Sequence, residues 1–237
     1  LEDHRPAAEV TAEAVNAAKE ADIVIFVGGL NKEGHQDCEG VDRLQYELPY
    51  GQNEVLEAIA AVNPNVVFVN VSGNAVAMPW LQKVPAVLQA WFLGSEAGHA
   101  IADVLFGDVN PSGKLPFTIM PALTDYPAHQ MGEEVYPGIA SDKRNDRHPD
   151  LMEEYYKEDI FVGYRYADLA PKARKAVTGV VNKSQPLFPF GHGLSYTTFE
   201  YGKAAVAGNV VTLTVKNTGA VAGKEVVELY VAPKKPS

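Results

Sequence analysis

Three short apolar runs constrain the fold of this 237-residue chain more than any other feature. They are ADIVIFVGG (residues 21–29), NVVFVNV (residues 65–71) and VPAVLQAWF (residues 84–92). Continuous apolar runs of this length, bounded by Gly, Pro and Asn, are typical of strands that are buried on both faces of a parallel sheet. The sequence therefore predicts a sheet that is covered on both sides, and Trp80 and Phe92 are interpreted as part of its core.

Segments of helical character lie between these runs. Residues 11–20 are rich in Ala, which favours helix, and apolar side chains recur at helical spacing through residues 55–62. Residues 95–107 predict a third helix that Ser95 caps and Gly107 ends. This repeated order of strand and helix predicts an α/β fold, in which a mainly parallel sheet is sandwiched by helices.

The second half of the chain has a different character. Residues 121–185 are rich in Asp, Pro, His, Lys and Tyr, and their weak apolar periodicity predicts a long loop excursion. Residues 209–219 and 225–231 alternate apolar and polar side chains, which indicates antiparallel strands of a β-sandwich. Since a sandwich of this kind has about seven strands, residues 199–237 are expected to form only an incomplete all-β segment.

Composition narrows the range of partners. The formal net charge is −10, which argues against nucleic acid because phosphates require Lys and Arg for neutralisation. No apolar run approaches the roughly 20 residues of a membrane span, so we expect no membrane partner. The single cysteine, Cys38, excludes an intrachain disulfide. That suits a reducing compartment, but a periplasmic or extracellular domain of this size needs no disulfide either.

The most polar loop of the chain directly follows the first predicted strand. In open α/β sheets, ligands bind beyond the carboxyl ends of the strands, and this loop, residues 28–52, begins at such an end. Six ionisable residues fall within eleven positions of it: Glu33, His35, Asp37, Glu39, Asp42 and Arg43. From the residues alone, the loop is either a solvated connection or a functional site.

Two kinds of site are disfavoured in this loop. The glycines of VGGLNKEG do not match G-x-G-x-x-G, and no helix begins at them, which argues against a dinucleotide. His35, Asp37 and Glu39 alternate and would share one face of a strand, but nothing else supplies a matching set of metal ligands. Cys38 is interpreted as a partly buried small residue rather than a nucleophile. The sequence therefore predicts neither a metal nor a cofactor.

The segment EGVDRLQYELP, residues 39–49, resembles a signature of glycoside hydrolase family 3. Tyr46 stands where the family usually has Leu. Four further segments resemble the family in the same order: VSGNAVAMPW (71–80), QAWFLGSEAGHAIADVLFGDVNPSGKLPFT (89–118), EDIFVGYRYAD (158–168) and PLFPFGHGLSYTTF (186–199). Five segments in order make the resemblance specific, and it extends over residues 20–237.

The resemblance implies a retaining β-glycosidase with its chemistry divided between domains. An aspartate nucleophile is expected in an N-terminal TIM-like barrel, typically in an S-D-W motif, which this sequence lacks. Residues 1–198 then correspond to the family's C-terminal α/β sandwich domain, and residues 199–237 to the beginning of a fibronectin type III-like domain. The implied partners are an oligosaccharide or β-glucoside substrate and the barrel domain of the same enzyme.

The resemblance also implies roles for residues of the polar loop. A retaining glycosidase needs a nucleophile and a general acid/base about 5–5.5 Å apart, and Glu39 matches the family's acid/base position. Glu33 and Asp37 remain alternatives for that role. His35, Asp37 and Glu33 are expected to bind the sugar, and an Asp42–Arg43 ion pair is expected to fix the loop.

Two other functions stay open at this point. One is a non-catalytic carbohydrate-binding or regulatory module derived from the same family. The other is an unrelated flavodoxin-like nucleotide-binding domain, against which the missing phosphate-binding Gly motif argues.

Overall fold

The computed structural model describes residues 5–232, and these form two compact units. The first unit contains the residues up to Gly94 together with Thr118–Leu187, and the second contains Ser95–Phe117 together with the residues from Phe188 onward. The predicted division at residues 198 and 199 stays a prediction. None of the described helices is long and apolar enough to cross a membrane.

The first unit holds most of the regular structure. Its helices are α1 (Ala7–Glu20), α2 (Gln52–Ala60), α4 (Pro127–Gln130), α5 (Tyr164–Ala167) and α6 (Pro171–Thr178), and its strands are β1 (Val24–Gly29), β2 (Val66–Val71), β3 (Ala86–Gln89), β4 (Ile139–Ala140) and β5 (Met152–Glu153). The second unit contains α3 (Ala97–Phe106) and the strands β6 (Phe199–Tyr201), β7 (Ala205–Ala207), β8 (Val210–Thr212) and β9 (Val215–Asn217).

A parallel sheet of order β1-β2-β3 forms the centre of the first unit. Strand β2 is the middle strand, and its Val66, Phe68 and Val69 are fully buried. The Phe68 ring meets the Trp80 ring edge-on with centroids 4.7 Å apart, and the Trp80 indole N–H donates to the Asn53 side chain over 2.8 Å. The predicted α/β fold with its parallel sheet is confirmed, as is the burial of Trp80.

Strand β1 differs from the prediction of burial on both faces. Ile25 is 45% exposed and Val27 is 61% exposed, while Phe26 between them is half-buried. The prediction is wrong for this strand because β1 lies at the edge of the sheet, and no described element covers its outer face. The helical spacing of residues 55–62 is confirmed, since Leu56 and Ile59 of α2 are buried.

The third predicted helix, α3, belongs to the second unit. Gly107 ends it in a left-handed conformation with φ of 84°, as predicted. Ser95 does not cap it, because Gly94–Glu96 form a 3-10 turn, and Glu96 occupies the N-cap position without a side-chain cap bond.

The excursion at residues 121–185 is ordered by polar contacts as well as by short elements. Arg174 of α6 is 1% exposed, and its guanidinium donates to the carbonyls of Ala167, Leu169 and Ser184. Because one side chain binds carbonyls at the end of α5 and the carbonyl of Ser184 after α6, the segment keeps a defined path with little regular structure.

The all-β part of the second unit consists of two antiparallel pairs, β6 with β9 and β7 with β8. The predicted strand at residues 209–219 is broken into β8 and β9. Residues 225–231 form no strand, so that prediction is wrong; no described strand runs beside them to accept their backbone hydrogen bonds. This arrangement fits a partial all-β segment.

Candidate functional site

The polar loop connects β1 to α2 across the carboxyl end of the sheet, and its two ends are joined by Gln52. The Gly29 N–H donates to Gln52 Oε1 over 2.7 Å, and Gln52 Nε2 donates to the carbonyls of Gly29 and Pro49 over 2.9 and 3.0 Å. Gly29 has a φ of 138°, and a side chain there would overlap the Val71 carbonyl. The loop therefore leaves the sheet at a point that only glycine fits.

Asp37 connects the loop to the segment that follows β2. Its Oδ2 accepts the Gly73 N–H over 2.5 Å, and its Oδ1 accepts the Asn74 Nδ2 over 2.6 Å. The Asp37 N–H in turn donates to the Asn31 carbonyl over 3.1 Å. Both carboxylate oxygens of this half-buried residue are thus used within the protein.

Glu33 lies in an exposed network near the ends of the loop. The Tyr50 hydroxyl donates to the Glu33 carboxylate and accepts from Gln36 Nε2 over 2.7 Å. The Glu33 N–H donates to Asn31 Oδ1 over 2.7 Å. Tyr50 has a φ of 61°, which costs backbone energy in a residue with a bulky side chain. The network offsets part of that cost.

His35 and Asp42 are also brought together. His35 has a φ of 63°, is exposed, and its Nδ1 lies 3.1 Å from the Asp42 carbonyl oxygen. Burial, a side-chain hydrogen bond to Asp42 and the Asp42 charge raise the pKa of Tyr136 to about 12.

Arg43 does not form the predicted ion pair with Asp42. Its Nη2 donates to the Ala75 carbonyl, and its guanidinium lies over the Tyr46 ring at 5.8 Å from the centroid. Burial lowers the pKa of Arg43, and the Asp37 charge is the largest influence that opposes this. The prediction is wrong because adjacent residues point to different neighbours: Arg43 turns inward to residue 75, while Asp42 faces Tyr136.

Glu39 differs from the other carboxylates of residues 33–42. Glu33, Asp37 and Asp42 each accept a side-chain or backbone hydrogen bond. Glu39 is exposed, and within residues 5–232 no protein group hydrogen-bonds its carboxylate. The following residue, Gly40, has a φ of 89°. Within residues 33–42, Glu39 is therefore the carboxyl group that is free to interact with a ligand.

The carboxyl end of β3 adds an aromatic side chain that the sequence interpretation missed. Phe92 is 39% exposed, so the prediction that it belongs to the core is wrong, and the Lys32 ammonium lies 4.3 Å from its ring centroid. The available signal was its position as the last residue of the third apolar run, at the same edge as the polar loop. The residue before it, Trp91, has a φ of 57°, and strained backbone of this kind clusters at functional sites.

The chemistry of this edge is that of carboxylates, a histidine and an aromatic ring. Among residues 5–232, no group of three or more His, Cys, Asp or Glu side chains is arranged to hold a metal ion. Cys38 is a half-buried free thiol. An arrangement of this type can donate or accept a proton at Glu39 and hydrogen-bond a polar ligand at its flanks.

Comparison with known proteins gives consistent results. The model of the glycosyl hydrolase family 3 C-terminal domain matches residues 3–164. The beta-glucosidase BoGH3A of Bacteroides ovatus is 50% identical over 233 residues, which cover 95% of this chain and 28% of that protein. A beta-glucosidase of Rhizobium radiobacter is 44% identical over 227 residues, which cover 93% of this chain and 25% of that protein.

Solved structures show the same relationship. The beta-glucosidase DesR from Streptomyces venezuelae, in complex with D-glucose, superposes with a TM-score of 0.74 at 36% identity, covering 90% of this chain and 24% of that one. A beta-glucosidase from Bifidobacterium adolescentis gives a TM-score of 0.72 at 38% identity, covering 92% and 29%. This chain spans about a quarter of the length of these relatives. By the extent of the family match and the agreement in sequence and fold, the chain belongs to the glycosyl hydrolase family 3 C-terminal domain family.

Proposed function

We propose that this chain supplies the general acid/base of a retaining β-glucosidase, and that Glu39 carries it. The nucleophile is assigned to a barrel domain that is joined to this chain in the enzyme. The observation that supports the proposal most directly is the free carboxyl group of Glu39, since each of the other three carboxylates in residues 33–42 accepts a hydrogen bond within the protein.

A general acid/base must exchange a proton with two different groups in turn. It first protonates the glycosidic oxygen and then removes a proton from water. A carboxyl group that is already held by protein donors has to break those bonds before it reaches either group. Glu39 has no such bonds, while its flanks at Asp37 and Arg43 are fixed. The loop thus combines a free acid with an anchored backbone.

The sugar contacts of His35, Asp37 and Glu33 remain predictions. Support is best for His35, because the Asp42 carbonyl engages Nδ1. If Nδ1 carries the proton, Nε2 is an acceptor that faces no described protein donor, and a sugar hydroxyl can donate to it. Glucose as the substrate sugar rests on the relatives, one of which was solved with D-glucose.

The test uses the enzyme in which this chain is joined to its barrel, with Glu39→Ala compared against Glu33→Ala. We expect Glu39→Ala to lower kcat/KM for phenyl β-glucoside by about 10²–10⁴-fold. Dinitrophenyl β-glucoside should lose much less in its first step, because its leaving group needs little protonation. Azide should restore turnover of the activated substrate, since azide attacks the glycosyl-enzyme without a general base. Glu33→Ala should show neither the dependence on the leaving group nor the rescue by azide.

Two results would overturn the proposal. If Glu33→Ala showed this pattern and Glu39→Ala did not, the acid/base would be Glu33. If neither variant changed the dependence on the leaving group, the acid/base would be Asp37 or would lie outside this chain, and in the second case a non-catalytic carbohydrate-binding or regulatory module would be the better description. A second check uses the 237-residue chain by itself, which should not hydrolyse aryl β-glucosides because general acid/base catalysis alone provides only about 10²–10⁴-fold.

A further inference from the structure

Both flanks of Glu39 are bound to the same short segment, residues 73–75. Asp37 accepts hydrogen bonds from Gly73 and Asn74, and Arg43 donates to the carbonyl of Ala75. Residues 37–43 therefore form an arch, which we call the Glu39 arch, with its two ends attached to residues 73–75. We infer that Asp37 is a positioning residue, which holds the Glu39 arch through Gly73 and Asn74. The inference rests on the proposed function of Glu39.

The contacts of Asp37 are strong enough to restrain the arch. Each of its oxygens accepts one hydrogen bond, at 2.5 and 2.6 Å, and bonds to an ionised acceptor are about twice as strong as neutral ones. Two residues of extended chain span about 7 Å at most. The Cα of Glu39 therefore lies within about 7 Å of the Cα of Asp37, whatever the conformation of Cys38.

The segment that binds Asp37, which follows β2, is itself rigid. Ser72 is fully buried, and its hydroxyl donates to the Asn74 carbonyl over 2.9 Å. Asn70 of β2 donates to the Ser72 hydroxyl over 2.9 Å, and Gln89 of β3 donates to the Ser72 carbonyl over 2.9 Å. The bonds of Asp37 thus connect the arch, through Ser72 and Asn74, to strands β2 and β3.

The fit between the arch and residue 73 is close. A Cβ added at Gly73 would lie 3.1 Å from Asp37 Oδ2 and 3.3 Å from Phe92 Cε2. A side chain at residue 73 would crowd the Asp37 carboxylate, which approaches the backbone directly. A residue that only bound sugar would have no need of this approach, so the geometry favours positioning over a sugar contact.

The decisive variant leaves Asp37 unchanged. Asn74→Asp places a second carboxylate opposite Asp37, and like charges at that distance repel. Adding Asp37→Asn to it restores a donor on residue 37 and an acceptor on residue 74. The matched control is Asp22→Asn, which makes the same change of charge as Asp37→Asn at an exposed residue before the amino end of β1. All variants are made in the enzyme that joins this chain to its barrel, and their thermal midpoints are recorded.

The readout is kcat/KM for phenyl and dinitrophenyl β-glucosides. We expect Asn74→Asp to lower the value for the phenyl substrate by up to about 100-fold, the scale of a 1 Å misplacement of a catalytic group. The loss for the dinitrophenyl substrate should be severalfold smaller, because it depends little on the acid. The double variant should recover most of the loss, and Asp22→Asn should match the wild type. Asn74→Ala, which only removes one bond, should show a smaller loss of the same kind and serves if Asn74→Asp does not fold.

The possible failures are distinguishable. Equal loss on both substrates would overturn the positioning role of Asp37, since a merely destabilised or sugar-binding site affects both leaving groups alike. Further loss rather than recovery in the double variant would identify Asp37 as a sugar ligand and would also overturn the inference. In both cases the proposed function stands if Glu39→Ala retains its dependence on the leaving group. If Glu39→Ala lacks that dependence, the proposed function fails, and the inference fails with it.

Discussion

The side-chain amide of Gln52 pairs with both backbone groups of Gly29, as a neighbouring strand would. Its Oε1 accepts the Gly29 N–H at 2.7 Å, and its Nε2 donates to the Gly29 carbonyl at 2.9 Å. The last residue of β1 is thereby joined to the first residue of α2, and the polar loop between them is closed into a ring. The position of Glu39 depends on this closure as well as on Asp37.

Gln52→Ala should destabilise the chain by about 1–3 kcal/mol, because it leaves the partly buried Gly29 N–H without a partner. Gln52→Glu keeps the acceptor for the Gly29 N–H but sets a carboxylate oxygen against the carbonyls of Gly29 and Pro49, so it should also destabilise the chain. Urea unfolding followed by circular dichroism measures both. Gln185→Ala, at an exposed position, is the control. Equal midpoints for Gln52→Ala and Gln185→Ala would show that water replaces the amide without loss.

Gly29→Ala and Gly34→Ala provide a matched pair in one segment. A Cβ at Gly29 would overlap the Val71 carbonyl, and its φ of 138° is poorly accessible to other residues. A Cβ at Gly34 would meet nothing within 4 Å. We expect Gly29→Ala to cost about 4 kcal/mol or more, or to prevent folding, and Gly34→Ala to stay within about 0.5 kcal/mol of the wild type. Comparable unfolding midpoints would mean that β1 and β2 separate easily at this end.

Arg174→Ala should be among the more destabilising substitutions in the first unit. It leaves the carbonyls of Ala167, Leu169 and Ser184 without their donor, and we expect a loss of about 3 kcal/mol or more. Arg174→Lys should recover only part of this, because an ammonium cannot reproduce the planar guanidinium. The exposed Arg165 gives the control, Arg165→Ala. If both alanine variants unfold at the same urea concentration, the converging carbonyls do not need Arg174.

The raised pKa of Tyr136 leads to a prediction about stability at alkaline pH. Its pKa is raised from 10.0 to about 12 by burial and by the hydrogen bond to Asp42. A raised pKa in the folded state means that the protonated phenol stabilises the fold. This stabilisation is fully present below pH 10 and is lost as pH rises towards 12. In a spectrophotometric titration, the wild type should form one tyrosinate only at high pH, near the pKa of Tyr136. The Tyr136→Phe variant should lack this tyrosinate.

The partner of Tyr136 gives the control for this titration. Asp42→Asn removes the negative charge and should make the late tyrosinate form at lower pH than in the wild type. Stability to urea should also fall less steeply above pH 10 in Tyr136→Phe than in the wild type. If neither the titration nor the pH dependence changed in these variants, the bond between Tyr136 and Asp42 would not persist in solution.

Local periodicity was sufficient to predict the parallel strands and the buried face of α2. It did not predict the exposure of Ile25 and Val27, because an apolar run contains no information on which neighbours cover it. The pattern at residues 225–231 failed for the related reason that a strand requires a partner strand.

The candidate site divides in the same way. The composition and location of the polar loop follow from the sequence, and the choice of Glu39 within it rests on the family resemblance and stays a prediction. Its connections do not, because the Asp37 bond to Asn74 spans 37 positions and that of Arg43 to Ala75 spans 32. Because Asp42 and Arg43 are adjacent in the sequence, an ion pair between them was predicted instead. A long side chain, however, can reach residues that are distant in the sequence.

The all-β segment should be the least protected part of the chain. Strands β7 and β8 form a two-stranded pair across a turn at Gly208, and their side chains are exposed except for the half-buried Val211. Two-stranded pairs of this kind are marginally stable in water. By contrast, β2 is buried between β1 and β3. Amide hydrogen exchange should therefore be at least about 100-fold faster in Val210–Thr212 than in Val66–Val71, since local opening needs far less free energy than global unfolding.

Exchange followed by mass spectrometry at two protein concentrations separates the possible results. Fast exchange in β8 and in residues 225–231 at both concentrations is the expected outcome. Protection that increases with concentration would mean that the unpaired edges join a second copy. Equal protection of β2 and β8 in a monomer would contradict the prediction, because it would require a further strand or covering element over β7 and β8.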